Sequence, residues 1–186
     1  MRVIAGAFKG RVLAPVKGRI RPTAAKVREA IFNILGGAVA QARVLDLFAG
    51  TGALGIEALS RGAQEAVFVE DHPEALKVLH RNLEDLGLTA RAQVFPGAVN
   101  PALKKLAARK DRFSLAFLDP PYGGGAAAHA LAALAAADLL SPQAWVVAEH
   151  SRRDSLPEIC GGLTRRELRR YGDTQVAFYL AANQEE

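Results

Sequence analysis

The chain has 186 residues, of which 50% are hydrophobic and 23% are charged. This length and composition suit one compact domain and exclude a largely disordered chain. A single cysteine, Cys160, excludes an internal disulfide and a cysteine-based zinc cluster. The amino terminus does not form a signal-peptide core, and no apolar run reaches the roughly 18–20 residues of a membrane span. We therefore expect a cytoplasmic protein.

The net charge of +5 is concentrated near the amino terminus. Residues 1–28 carry eight Lys or Arg residues and no acid, so residues 29–186 together carry a charge of −3. Clustered cations attract polyphosphates, because each neutralised phosphate releases condensed counterions. We interpret the segment as a nucleic-acid contact, and the alternative is a solvated arginine-rich surface. The same two interpretations apply to a second cluster, which consists of Arg165, Arg166, Arg169 and Arg170.

The first predicted element is a small hairpin. Two runs, at 2–5 and 11–14, alternate apolar and basic residues and have glycines between them, which is typical of short strands that carry their bases outward. We treat 1–20 as a basic arm and 21–186 as the main domain.

The main domain opens with a predicted helix. Thr23 is a suitable N-cap, and Val27 and Ile31 begin a helical spacing of apolar residues. Two glycines at 36–37 are expected to end this helix.

From residue 43 onward, apolar strands alternate with helices. The strands have the sequences RVLDLF, AVFVE, ARAQVF, FSLAFL and WVVAEH, with helices near 53–61, 73–86, 101–108 and 126–137 between them. This alternation predicts a doubly wound α/β fold whose mostly parallel sheet is covered on both faces. The last segments, LTRRELRRY and TQVAFYL, flank a Gly-Asp pair and predict an antiparallel hairpin.

A glycine-rich segment between the first strand and its helix predicts a ligand site. In DLFAGTGALG, Gly50, Gly52 and Gly55 follow the pattern G-x-G-x-x-G, which suits a backbone that turns sharply close to a ligand. Glu70 ends the next strand, at the spacing typical of an acid that binds a ribose hydroxyl. Taken alone, this pattern permits a dinucleotide such as NAD.

Asp46 argues against a pyrophosphate at this turn. Its carboxylate, at the carboxyl end of the first strand, would repel phosphate but would attract an ammonium group, or through water the polar tail of an amino acid. A cofactor that joins adenosine to an amino acid fits these features, so S-adenosylmethionine is the predicted cofactor. In the alternative interpretation, Asp46 caps the following turn.

A second motif, Asp119-Pro120-Pro121-Tyr122, ends the fourth alternating strand. In a doubly wound sheet the strand ends border one crevice, so Asp119 is expected to face the glycine turn. An exocyclic amino nitrogen of a nucleobase is a poor nucleophile, because its lone pair is delocalised into the ring. The Asp119 carboxylate and the Pro120 carbonyl are suited to accept its hydrogens, and Tyr122 is suited to stack on the base. Alternatively, the prolines only end the strand and Tyr122 packs the turn.

With both motifs in place, the chain resembles the class I S-adenosylmethionine-dependent methyltransferases. It is most similar to the RsmD-like family, which methylates a guanine N2 in 16S ribosomal RNA of the small subunit. The resemblance covers nearly the whole chain, and DLFAGTGALGIEALSRGA is its most specific part. It implies a seven-stranded Rossmann-like sheet with a reversed final hairpin.

The motifs, the charge distribution and this resemblance together define the candidate residues. The predicted cofactor contacts are Asp46, Phe48, Ala49, Gly50, Thr51, Gly52, Gly55, Glu70 and Ala98. The predicted catalytic residues are Asp119, Pro120, Pro121 and Tyr122, and the predicted RNA contacts are Lys9, Arg11, Arg21, Thr23, Arg28 and Asn33. Ala98 stands for a backbone contact to adenine, because the segment after the third strand lacks the acidic residue that is usual in such proteins.

The expected partner is ribosomal RNA within an assembling small subunit, and the expected state is a monomer. No metal is expected, since the four histidines show no ligand spacing. Three other functions remain open at this point. They are a DNA adenine- or cytosine-amino methyltransferase, an NAD-dependent oxidoreductase and a non-catalytic RNA-binding assembly factor.

Overall fold

The computed structural model describes residues 1–16, 25–121 and 123–183. Its helices are α1 (Ala25–Leu35), α2 (Ala53–Ser60), α3 (Pro73–Asp85), α4 (Val99–Ala108) and α5 (Ala126–Ala136), with short 3-10 turns at Gly36–Val39 and Thr89–Arg91. Its strands are β1 (Arg43–Leu47), β2 (Glu65–Glu70), β3 (Ala92–Pro96), β4 (Phe113–Leu118), β5 (Leu140–Ser151), β6 (Ile159–Cys160), β7 (Leu163–Tyr171) and β8 (Thr174–Ala181).

The strands form one sheet in the order β3-β2-β1-β4-β5-β8-β7-β6. The first five strands are parallel, and the last three pair antiparallel. This confirms the predicted doubly wound fold and its reversed hairpin. The expected number of seven strands is wrong, because the described sheet contains eight. The additional strand, β6, has two residues, too few to show a periodic sequence pattern.

The central strand β1 is covered on both faces. Val44 and Leu45 are adjacent in β1 and both have 0% exposure, yet they belong to two different core clusters. Residues of α1, α2 and α3 pack in the cluster of Val44, and residues of α4 and α5 pack in the cluster of Leu45. Two covered faces explain why the strands are continuously apolar.

The amino-terminal hairpin, residues 1–14, is docked on the body of the protein. Its strands meet at one antiparallel bridge, between Arg2 and Val12. On α2, the carboxylate of the fully buried Glu57 accepts the amides of Ile4 and Ala5 at 2.8 and 3.0 Å. The hydroxyl of Ser60, the last residue of α2, accepts the amide of Phe8 at 3.0 Å. These contacts fix the hairpin against α2.

The contact with α2 accounts for a glycine in the hairpin. Gly6 has φ +83°, and a Cβ atom there would lie 1.8 Å from the carbonyl oxygen of Ser60. Gly10 has nearly the same φ, +82°, but a Cβ atom there would have no neighbour within 4 Å. Gly6 is therefore required by both its conformation and the close approach, and Gly10 by its conformation alone.

We predict that Gly6→Ala destabilises the protein more than Gly10→Ala does. The left-handed conformation costs either alanine about 1–2 kcal/mol. Only at position 6 must the backbone of Ser60 also move away from the added Cβ atom, so the free energy of unfolding should fall further for Gly6→Ala. Urea unfolding of both variants measures the difference, and equal losses would contradict the proposed close approach.

Candidate functional site

The candidate site lies where the order of strands reverses. The chain runs from β1 outward to β2 and β3 and then returns to β4 on the other side of β1. Ligands of open α/β sheets bind at such switch points, beyond the carboxyl ends of the strands. In the register of β1 and β4, Leu47 is opposite Leu118, and the amide of Asp119 donates to the carbonyl of Leu47 at 3.5 Å. Asp119 and the glycine-rich turn thus begin at neighbouring strand ends.

The glycine-rich turn, residues 48–52, has an unusual backbone. Phe48, Gly50 and Gly52 have φ values of 63°, 57° and 82°. A positive φ is uncommon for a bulky side chain such as Phe48, and such conformations cluster at functional sites. At Gly55, three residues into α2, a Cβ atom would lie 2.3 Å from the ring of Phe68 on β2. Gly55 therefore allows α2 to pack closely on the sheet.

Glu70, which ends β2, braces this turn. Its Oε2 atom accepts the amide of Gly50 at 2.7 Å, and its Oε1 atom accepts the amides of Asp71 and His72 at 3.0 and 2.8 Å. A carboxylate has about four acceptor positions. These three hydrogen bonds therefore leave room for about one further donor, such as a ribose hydroxyl.

Asp46 is buried beneath the same turn. It is 1% exposed, and its Oδ2 atom accepts the amide of Gly55 at 2.9 Å. Burial raises the pKa of Asp46 to about 7; the bond from Gly55 opposes this rise, and the charge of Glu70 adds to it. The side chain thus accepts an amide in the first turn of α2, which agrees with the alternative interpretation of the sequence that Asp46 has a capping role. Its contact with a cofactor stays a prediction.

The burial of Asp46 predicts a pH dependence of stability. Between about pH 4 and 7 the unfolded chain releases this proton before the folded protein does, so the contribution of Asp46 to the free energy of unfolding falls as pH rises. In Asp46→Asn the amide oxygen still accepts from Gly55 and the titration is absent. We expect the free energy of unfolding of Asp46→Asn, relative to the unmodified protein, to rise by a few kcal/mol over this window.

Urea unfolding at a series of pH values measures this difference. Glu84→Gln, at an exposed acid on α3, is the control and should follow the unmodified protein. Parallel curves for Asp46→Asn and the unmodified protein would contradict the assigned titration.

A buried amide on α3, which the sequence patterns did not single out, connects the hairpin with the turn. Asn82 is 1% exposed, and its Oδ1 atom accepts the amide of Ala14 at 2.7 Å. Its Nδ2 atom donates to the carbonyls of Ala14 and Thr51 at 3.3 and 2.9 Å. One side chain therefore holds the end of the hairpin and the carbonyl of the glycine-rich turn in a fixed relation.

We predict that Asn82→Ala lowers the free energy of unfolding by about 2–4 kcal/mol, because it leaves buried backbone groups without partners. Loss of the Thr51 contact should also loosen the turn, so the Gly52 amide should exchange its hydrogen faster. Urea unfolding and hydrogen exchange measure the two effects. Asn33→Ala, at an exposed position of α1, is the control and should change neither.

The remaining predicted catalytic and cofactor residues differ in their exposure to solvent. Asp119 is partly buried, Pro120 is buried and Pro121 is exposed. Ala98 is the exposed N-cap residue of α4, and the amide of the preceding Gly97 donates to the carbonyl of Glu70 at 2.8 Å, which holds this segment beside the end of β2. Three of the predicted residues, Arg21, Thr23 and Tyr122, lie outside the described residues.

Among the described residues, the predicted RNA contacts Lys9, Arg11 and Asn33 lie on two different elements, the hairpin and α1. Lys9 follows Phe8, which is bonded to the far end of α2, about 12 Å along that helix from the turn. Arg11 is exposed and donates to the carbonyl of Asp85, the last residue of α3, at 2.7 Å. Asn33 is exposed on α1.

Arg28 is a correction to the predicted set. It is 1% exposed, lies 3.7 Å from the Glu57 carboxylate, and donates to the carbonyl of Arg2 at 2.6 Å. Its guanidinium joins α1 to α2 and the hairpin, so it is not presented to an RNA phosphate. Its charge suggested a surface residue, but the buried acid on α2 draws it into the core.

No described helix is both long and apolar enough to cross a bilayer. No group of three or more acidic, His or Cys side chains among the described residues is arranged to hold a metal ion.

The fold and this site define a Rossmann-like methyltransferase. The chain is similar to a solved structure of the Thermus thermophilus 16S rRNA N2 G1207 methyltransferase, RsmC, in complex with AdoMet and guanosine. The two are 26% identical with a TM-score of 0.69, over 90% of this chain and 44% of the other.

The chain belongs to the family described as conserved hypothetical protein 95, whose model matches residues 1–180, and this confirms the RsmD-like resemblance. A Bacillus subtilis relative named "Putative rRNA methyltransferase YlbH" is 43% identical over 96% of this chain and 98% of its own. The Escherichia coli (strain K12) relative named ribosomal RNA small subunit methyltransferase D is 35% identical over 86% of this chain and 79% of its own.

Proposed function

We propose that the protein transfers a methyl group from S-adenosylmethionine to the exocyclic N2 of a guanine in 16S ribosomal RNA of the small subunit. The observation that carries this proposal is the register of β1 and β4, which sets Asp119 beside the start of the glycine-rich turn. The names of the relatives support the RNA substrate, and the AdoMet and guanosine bound to the RsmC neighbour support the donor and the base.

The cofactor end of the site suits a cationic ligand that contains a ribose. The glycine-rich turn permits close approach of the backbone, and Glu70 retains about one acceptor position for a ribose hydroxyl. The Asp46 and Glu70 carboxylates lie near enough to interact, so their combined field favours a positive ligand. When bound, S-adenosylmethionine would supply an electrophilic methyl group there.

At the acceptor end, we assign Asp119 and Pro120 to the amino group of the base. The Asp119 carboxylate and the Pro120 carbonyl would accept the two hydrogens and direct the nitrogen lone pair toward the methyl group. Positioning of this kind contributes on the order of 7–11 kcal/mol in well-oriented reactions. The nitrogen must release a proton after transfer, and the Asp119 carboxylate that holds one of its hydrogens would accept it.

The base must leave its stack before it reaches Asp119, at a cost of a few kcal/mol that is smallest in a loop. We propose that ribosomal RNA on an assembling small subunit is the substrate and that Lys9, Arg11 and Asn33 contribute outer contacts, without Arg28. Because ribosomal RNA is the proposed substrate, the proposed place of action is the cytoplasm.

We predict that Asp119→Ala lowers methyl transfer at least a hundredfold, within the range of about 10²–10⁴ for loss of a positioned acid or base. Binding of S-adenosylmethionine should be unchanged, since the cofactor contacts are assigned to other residues. Transfer of labelled methyl to small subunits that lack the modification measures activity, and calorimetry measures cofactor binding. Glu84→Ala, at an exposed acid on α3, is the control and should retain both.

Full activity of Asp119→Ala would overturn the assigned mechanism. Competition between unmodified ribosomal RNA and duplex DNA in the same assay tests the substrate, and preference for DNA would overturn the RNA proposal. Mass spectrometry of the product then locates the methyl group, which we expect on a guanine N2.

A further inference from the structure

The second arginine cluster, on β7, extends to the end of the sheet at which Asp119 lies. In the pairing registers, Leu118 of β4 is opposite Ala148, Ala148 is opposite Ala177, and Ala177 is opposite Leu168 of β7. The residues that follow Leu168 on β7 therefore lie level with those that follow Leu118 on β4. β7 is three strands away from β4, which corresponds to about 14 Å.

Several arginines of this region are engaged within the protein. The Arg165 guanidinium donates to the Leu156 carbonyl at 2.8 Å and to the Glu158 carboxylate at 3.2 Å. Arg169 pairs with Glu167, and Arg152 lies 3.3 Å from Asp173.

Arg166 and Arg170 differ from these arginines. Both are exposed, and neither side chain has a hydrogen bond or ion pair to another described residue. They lie on either side of Leu168, which is 42% exposed. Leu168 and Arg170 occupy alternate positions and share one face of β7, and Arg166 lies within the irregularity between Arg165 and Glu167. β6 pairs only with the first two residues of β7, so this face borders an open sheet edge in the described structure.

From these observations we infer that the exposed surface of β7 formed by Arg166, Leu168 and Arg170 is a second RNA contact. It binds phosphates of the strand that flanks the nucleotide held at Asp119. The inference rests on the proposed function. Two properties favour RNA as the occupant. Arg170 lies at the same end of the strands as the catalytic motif, with Arg166 on the same strand. Both cations are free for phosphates although residues 29–186 as a whole are negatively charged.

The experiment compares Arg166→Gln/Arg170→Gln with Lys110→Gln. Lys110 is an exposed base in the turn before β4, at the end of this strand opposite to Asp119. Binding of an unmodified small-subunit ribosomal RNA transcript is measured over a series of salt concentrations. We expect the double variant to bind several-fold more weakly, with the slope of log K against log salt smaller by about 0.7–0.9 for each lost phosphate contact. Lys110→Gln should match the unmodified protein.

The kinetics of methyl transfer by the same variants distinguish a loss of RNA contact from a loss of catalysis. The double variant should raise the KM for RNA and leave kcat and the unfolding midpoint unchanged, because the side chains are exposed and lie on a strand about 14 Å from β4. Binding and salt slope equal to those of the unmodified protein would overturn the inference while the proposed function stands.

Two further outcomes would also be decisive. If the double variant binds naked transcript normally but methylates assembled small subunits more slowly, the RNA contact would be overturned in favour of contact with an acidic protein partner. RNA binding without any methyl transfer by the unmodified protein would overturn the proposed function, while the salt slopes still decide the role of β7.

Discussion

The pairing of β1 on both of its edges is the constraint on which the site depends. β1 lies between β2 and β4, and the three strands end together. The glycine-rich turn leaves β1, Glu70 ends β2, and Asp119 follows β4. Both faces of β1 are buried, so a shift of one residue would exchange the residues of the two core clusters. The packing of the core thereby fixes the distance between the two motifs.

Buried polar side chains transmit this order to the surrounding loops. Asp46, Glu57, Glu70 and Asn82 are each at most 8% exposed, and each accepts at least one backbone amide from a loop or a helix start. A buried polar group without a partner costs on the order of 1–3 kcal/mol. Each of these residues therefore holds its loop in one arrangement, and α2 and α3 become the support that joins the hairpin to the turn.

The sequence was sufficient for features that depend on local periodicity. Continuous apolar strands, alternating helices and the final hairpin all follow from such patterns, and strand ends at a switch point placed Asp119 near the turn. Partners that are distant in sequence were not predictable. The charge of Arg28 suggested a surface residue, because nothing near it in sequence indicates Glu57. The same reason explains why Asn82, whose partners are 68 and 31 residues away, was missed.

The two acids at the turn also bear on the choice between cofactors. The formal glycine pattern permits a dinucleotide, yet the Asp46 carboxylate is buried there and is repelled by Glu70, which helps to raise its pKa. A pyrophosphate would add negative charge beside them and increase the cost of ionising Asp46. A sulfonium or ammonium ligand would lower this cost, so its binding would favour the ionised carboxylate. The electrostatics of the turn thus support S-adenosylmethionine over NAD, although both ligands would need the same close approach of the backbone.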